Sequence, residues 1–104
     1  MPQPPILVKS LVYALKLQDD KYYVGESYNI NFRISQHFNG QGSKWTKLYK
    51  PLHILEVSDK ETEKDLTLRL MTEYGWKNVR GGSWCAVNLT YNPLQNQRPT
   101  ECML

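Results

Sequence analysis

Along the first forty residues the apolar positions change period once. Residues 11–17 (Leu-Val-Tyr-Ala-Leu-Lys-Leu) and 21–26 (Lys-Tyr-Tyr-Val-Gly-Glu) are rich in aliphatic and aromatic side chains and read as two strands. Between them Gln18-Asp19-Asp20 is polar and short enough to close a hairpin. From Ser27 to Phe38 the spacing becomes helical, because Ile30, Ile34 and Phe38 recur every fourth residue along one side. Ser27 or Asn29 can cap the start of this helix, and Asn39-Gly40 marks its end. A loop from Gly40 to Lys47 follows. After Pro51, residues 52–57 (Leu-His-Ile-Leu-Glu-Val) read as a third, mostly buried strand. Ser58 and Glu61 form a capping box for a second helix. Leu66, Leu70, Met71 and Tyr74 give that helix its apolar stripe, and Gly75 its C-terminal cap. Residues 83–90 fit a short strand or a helix. Residues 91–104, with Pro93 and Pro99 among Asn and Gln, read as a loosely held tail.

This order predicts an α+β class: a small three-stranded antiparallel sheet with flanking helices. A length of 104 residues suits one domain, with its core over about residues 10–90. No apolar run approaches the ~20 residues that span a bilayer, so a membrane partner is not expected. The segment Met1-Pro2-Gln3-Pro4-Pro5-Ile6-Leu7-Val8 lacks the basic region of a secretory signal. The expectation is an intracellular protein, cytoplasmic, or nuclear if eukaryotic or viral. Cys85 and Cys102 show no metal-ligand spacing and read as ordinary thiols.

The net charge of +3 says less than its distribution. Residues 1–50 carry seven Lys/Arg against three Asp/Glu, whereas residues 51–104 carry six against seven. A basic first half suits a polyanionic partner. Lys44, Lys47 and Lys50 flank Trp45 in the glycine-containing loop, a mixture that can follow a nucleic-acid strand by charge and stacking. Arg80 beside Gly81-Gly82 would suit a phosphate; a plain turn closing the core under Trp76 and Trp84 explains the same residues.

The hairpin and the first helix together hold the chemistry. Leu11-Val12-Tyr13 lies on the first strand and Tyr23-Val24-Gly25 on the second; Arg33 follows eight residues past Gly25, and His37 four past Arg33. Separately, the tyrosines are ordinary strand formers and Arg33 an ordinary solvated helix residue. Jointly they resemble the GIY-YIG family, with Leu11 in place of the signature Gly and Val12 in place of the Ile. The run Gly42-Ser43-Lys44-Trp45-Thr46-Lys47 and Pro51 also resemble that family's stretch before its third strand, and coverage extends from about Leu11 to Gly82. The run Tyr74-Gly75-Trp76-Lys77-Asn78-Val79-Arg80-Gly81-Gly82 is similar to a segment of viral and phage members.

The resemblance implies metal-dependent hydrolysis of DNA phosphodiesters with one divalent ion, Mg²⁺ or Mn²⁺. It implies Tyr13 as general base, with Arg33 and His37 assisting the phosphate and the water, and Tyr23 beside them. Such grouping makes chemical sense: a guanidinium grips two phosphate oxygens, and residues four apart share one helix face. A tyrosine takes a proton only if its pKa falls well below ~10.

Members of the family bind the metal through a Glu in a run like Ala-Leu-x-x-Glu. Laid over Thr67-Leu68-Arg69-Leu70-Met71, that run puts Met71 at the Glu position, and a thioether cannot hold Mg²⁺. Three readings follow: Glu63 takes the role on a shifted helix, Glu61 reaches in instead, or the site is lost and the domain only binds nucleic acid. The first is preferred. In the plainest reading these carboxylates are acids in a helix's first turns. A protein-interaction role on the same scaffold stays open, as does a homodimer.

Overall fold

The computed structural model describes residues 9–95. Its centre is a sheet of four strands: β1 (Leu11–Leu17), β2 (Lys21–Ser27), β3 (Pro51–Ser58) and β4 (Val79–Gly81), in the order β3-β1-β2-β4. The hairpin closes through a 3₁₀ turn at Gln18–Asp20, where Asp19 and Asp20 have positive φ, which a short polar side chain tolerates. The register sets Tyr13 opposite Gly25 and Leu15 opposite Tyr23. β3 pairs antiparallel with β1 and is irregular between Ala14 and Leu15. β4 pairs parallel with β2, so the sheet is mixed and four-stranded rather than three-stranded and antiparallel.

Three helices flank it: α1 (Ile30–Phe38), α2 (Lys44–Leu48) and α3 (Glu63–Tyr74). Each begins at a side-chain cap that satisfies an amide with no partner within the helix. Asn29 Oδ1 accepts the Phe32 N–H, Ser43 Oγ the Thr46 N–H, and Thr62 Oγ1 the Asp65 N–H. The expected capping box at Ser58 is therefore displaced. Ser58 Oγ accepts the N–H groups of Lys60 and Glu61 and shapes a turn, and α3 starts at Glu63. Gly75 ends α3 as expected.

Side chains of β1 and β2 alternate between two cores. Val12, Ala14, Tyr22 and Val24 pack with Leu66, Leu70, Met71, Val79 and Trp84 on the α3 side. Tyr13, Leu15 and Leu17 pack with Ile34 and Trp45 on the α1 and α2 side. β3 lies at the sheet edge, and Leu52, Ile54 and Val57 are exposed, contrary to the expectation of a mostly buried strand. Residues 83–90 form neither helix nor named strand; they carry an isolated bridge between Gly81 and Trp84. Of the expected loose tail, Tyr91 packs on the α3-side core and Pro93 is buried, so its first residues are docked; residues 96–104 lie outside the described part. Cys85 is disulfide-bonded, which corrects its reading as an ordinary thiol. Separation in space rather than spacing along the chain decides such a bond. Cys102 lies outside the described residues. Among the described residues no helix is long and apolar enough to cross a membrane.

Candidate active site

Tyr13 stands mid-strand on β1, and its ring runs across the position opposite, Gly25. A Cβ at residue 25 would overlap the Tyr13 hydroxyl, so only glycine lets the phenol lie there. Tyr23 is on the same face, its ring centroid 6.4 Å from that of Tyr13. α1 then brings Arg33 and His37 over the pair from consecutive turns. His37 is fully buried; its Nε2 lies 2.7 Å from Tyr13 Oη and its ring centroid 4.8 Å from that of Tyr23. On its other side Nδ1 lies 2.9 Å from Thr46 Oγ1. The loop reaches His37 because residue 42 is glycine: a Cβ there would overlap the imidazole. Arg33 is partly exposed, and its Nη1 donates to Gln36 Oε1 at 2.9 Å.

Burial dominates the electrostatics. It pushes the Tyr13 hydroxyl well above the usual phenol range, helped by Tyr23 and Glu63 and opposed by the Arg33 guanidinium. Tyr23 moves the same way, again chiefly through burial, with Glu63 adding and Arg33 opposing. His37 is pushed down to about 4 by burial and by Arg33. At neutral pH the free protein thus holds two phenols and a neutral imidazole beside one guanidinium. The lowered Tyr pKa that base catalysis asks for is absent, and the cause is desolvation of the phenolate.

Glu63, at the first position of α3, faces the same tyrosines. Its Oε1 accepts the Gly82 N–H at 2.8 Å, and its carboxyl is raised by burial and by the neighbouring Glu26. Glu61 turns elsewhere: it pairs with Arg69, Oε1 to Nη2 at 2.7 Å, and Glu56 pairs with the same guanidinium. Met71 is buried in the α3-side core, so an alignment that makes it the ligand position selects a packing residue. Among the described residues no group of three or more His, Cys, Asp or Glu could hold a metal ion. A divalent ion held there would have one protein carboxylate, Glu63, with water and substrate phosphate as its other ligands. The donor present fits: a half-buried carboxylate raised by desolvation and by a second carboxylate gains most from a nearby cation.

The expected nucleic-acid contacts divide. Lys44 and Lys47 are exposed on α2. Trp45 is not available for stacking on bases, being 3% exposed with Nε1 donating to the Tyr22 carbonyl at 2.9 Å. Arg80 is likewise interior, at 4% exposure. Its Nε donates to the Ala86 carbonyl at 2.7 Å and its Nη2 to that of Val87 at 3.0 Å, and the guanidinium lies over the Trp45 ring. With its donors committed to backbone carbonyls it fastens residues 86–87 to β4, which corrects its assignment to phosphate. The residues that sequence reasoning passed over are Ser43 and Thr46. The capping pair Ser43-x-x-Thr46 inside the recognised Gly42–Lys47 run was the available clue.

A hairpin whose Tyr faces a Tyr-x-Gly, crossed by a helix bearing Arg and His, defines a nuclease-type scaffold. The chain belongs to the GIY-YIG family, a nuclease superfamily: the model of the GIY-YIG catalytic domain matches residues 9–82. Its relatives include the UPF0213 proteins of Staphylococcus aureus strains Mu3, Mu50 and N315. Each is 34% identical over 58 residues, covering 56% of this chain and 71% of the relative. No solved structure gives a significant match.

Proposed function

We propose that the chain is a metal-dependent endonuclease that hydrolyses DNA phosphodiester bonds with one divalent ion, Mg²⁺ or Mn²⁺. The observation that carries this reading is convergence: Tyr13, Tyr23 and His37, from three elements, lie in mutual contact, with Arg33 from the helix of His37 and Glu63 from α3 near enough to shift the two phenols. Arg33, partly exposed at its edge, neutralises the scissile phosphate. Tyr13 takes the proton of the attacking water, and Tyr23 orients the phosphate or water beside it. His37 holds the Tyr13 hydroxyl at the atom from which a proton must leave. Glu63 would hold the ion, which when bound polarises the phosphoryl group and stabilises the leaving oxygen. Exposed Lys44 and Lys47 follow the strand by charge.

The test is cleavage of labelled single-stranded and duplex DNA by the purified chain, with Mg²⁺ or Mn²⁺ against a chelator. Metal-dependent, chelator-sensitive products are expected. A chain that is inert with both ions yet binds DNA would support a binding module in place of an enzyme.

A further inference from the structure

Thr46 Oγ1 has one proton and three polar neighbours. It lies 3.1 Å from the Ser43 carbonyl, 3.2 Å from the Ser43 hydroxyl and 2.9 Å from His37 Nδ1. A carbonyl oxygen can only accept, so the proton of the Thr46–Ser43 carbonyl contact comes from Thr46. If Thr46 gave that proton to His37 instead, two oxygens 3.1 Å apart would face each other with no hydrogen between them. The Ser43 carbonyl also receives the Lys47 N–H at 3.0 Å, which fixes its direction. Thr46 Oγ1 therefore remains an acceptor towards the imidazole.

The consequence crosses the ring. His37 is buried and neutral, with a pKa near 4, so it carries one ring proton. An acceptor at Nδ1 draws that proton to Nδ1 and leaves Nε2 with a lone pair. The 2.7 Å contact between Nε2 and Tyr13 Oη is then donated by the phenol.

We propose that Thr46 is a positioning residue: its hydroxyl, committed to the Ser43 carbonyl, locks His37 in the Nδ1–H tautomer so that Nε2 accepts the Tyr13 proton. The use of this arrangement rests on the hydrolytic reading above. As the water oxygen bonds to phosphorus, a water proton passes to Tyr13 Oη and the proton of Tyr13 passes to His37 Nε2. The imidazole becomes imidazolium, and Tyr13 ends as the phenol it began as. The bond to the leaving oxygen breaks with its electron pair, and that oxygen is protonated from solvent. No free phenolate forms; the cost passes to the imidazolium, which burial and Arg33 disfavour.

The tautomer is measured without DNA or metal, from the ¹⁵N shifts of the His37 ring in the full chain, and compared with Thr46→Ser and Thr46→Val. The parent and the Ser variant are expected to carry the proton on Nδ1, with cleavage rates within ~3-fold of each other. The Val variant keeps the shape, loses the hydroxyl, shifts the proton towards Nε2 and cuts at least ~10-fold more slowly. A parent ring protonated on Nε2, or a Val variant still protonated on Nδ1, overturns the proposal. Should the Val variant fail to fold, the parent and Ser spectra decide. A chain with the expected tautomers that cuts nothing would overturn the hydrolytic reading and leave the tautomer lock standing.

Discussion

Alternate residues of β1 and β2 build two unlike faces. Towards α3, Val12, Ala14, Tyr22 and Val24 meet Leu66, Leu70 and Met71, and the interior is sealed by apolar area. Towards α1 and α2, Tyr13, Leu15 and Leu17 share buried space with the polar side chains of His37 and Thr46 and, over Trp45, with the Arg80 guanidinium. The second face holds together because each of those groups has a partner; an orphaned polar group there would cost about 1–3 kcal/mol. The comparison teaches where a substitution should register. In the apolar core under Leu66, Leu70 and Met71 it should appear as stability, and around Tyr13, His37 and the Glu63 end of α3 as chemistry.

The largest expected effect is on the chemical face. Arg33→Ala should slow cleavage by at least ~10²-fold, because the developing phosphate charge loses its fixed cation. Its melting temperature should stay near that of the parent, since Arg33 is partly exposed and its contacts with Gln36 and the two phenols lie at the edge of the core. An Ala variant that cuts like the parent would remove Arg33 from the site. The complementary substitution is Met71→Ala on the other face. Denaturant unfolding should show a loss of about 2–5 kcal/mol. Cleavage per folded molecule should be unchanged, and a proportionate loss of both would erase the distinction between the faces.

Acid should sharpen the contrast. His37 binds a proton less readily folded, near 4, than unfolded, near ~6.5. The unfolded state therefore holds more protons between those values, and the stability that neutral His37 contributes is full above the unfolded pKa and declines as pH falls through the window. Glu63, raised in the folded state, works in the opposite sense and gains on acidification through its own range. Urea midpoints at pH ~7 and ~5 should fall for the parent and fall less for His37→Gln. Equal slopes would mean that His37 is not the buried neutral group.

The smallest effect concerns the rim. Replacing Lys44, Lys47 and Lys50 by Gln should leave the fold unchanged and flatten the salt dependence of DNA affinity by ~0.7–0.9 per lost phosphate contact. An affinity independent of salt would argue against a polyanionic partner.

The hairpin and α1 were legible because their patterns are local: period two, a polar turn, then period four. The grouping of Tyr13, Tyr23, Arg33 and His37 came from the resemblance to the GIY-YIG family; helix period alone said only that Arg33 and His37 share one face. β4 was not legible, since Val79–Gly81 is three residues long and pairs in parallel with a strand more than fifty residues earlier. α2 escaped because five residues hold too few apolar positions to show a period. β3 misled in the other direction: its apolar run suggested burial, but it sits at an edge with exposed Ile54 and Val57. Trp45 and Arg80 misled by residue type. An indole and a guanidinium suit nucleic acid, yet here they cover each other and satisfy backbone carbonyls. Only the third dimension separates an interior cation from a surface one.

The central claim is that Glu63 supplies the carboxylate for a divalent ion beside Tyr13 and Arg33. Glu63→Gln keeps the shape and the acceptor for the Gly82 N–H while removing the charge that a hard cation needs. DNA cleavage should be measured across a Mg²⁺ and Mn²⁺ titration for parent and variant, alongside DNA affinity without metal. The expected result is chelator-sensitive cutting by the parent, loss of cutting by at least ~10²-fold in the variant at every metal concentration, and unchanged affinity. A Gln variant that cuts with the parent's metal dependence would contradict the account.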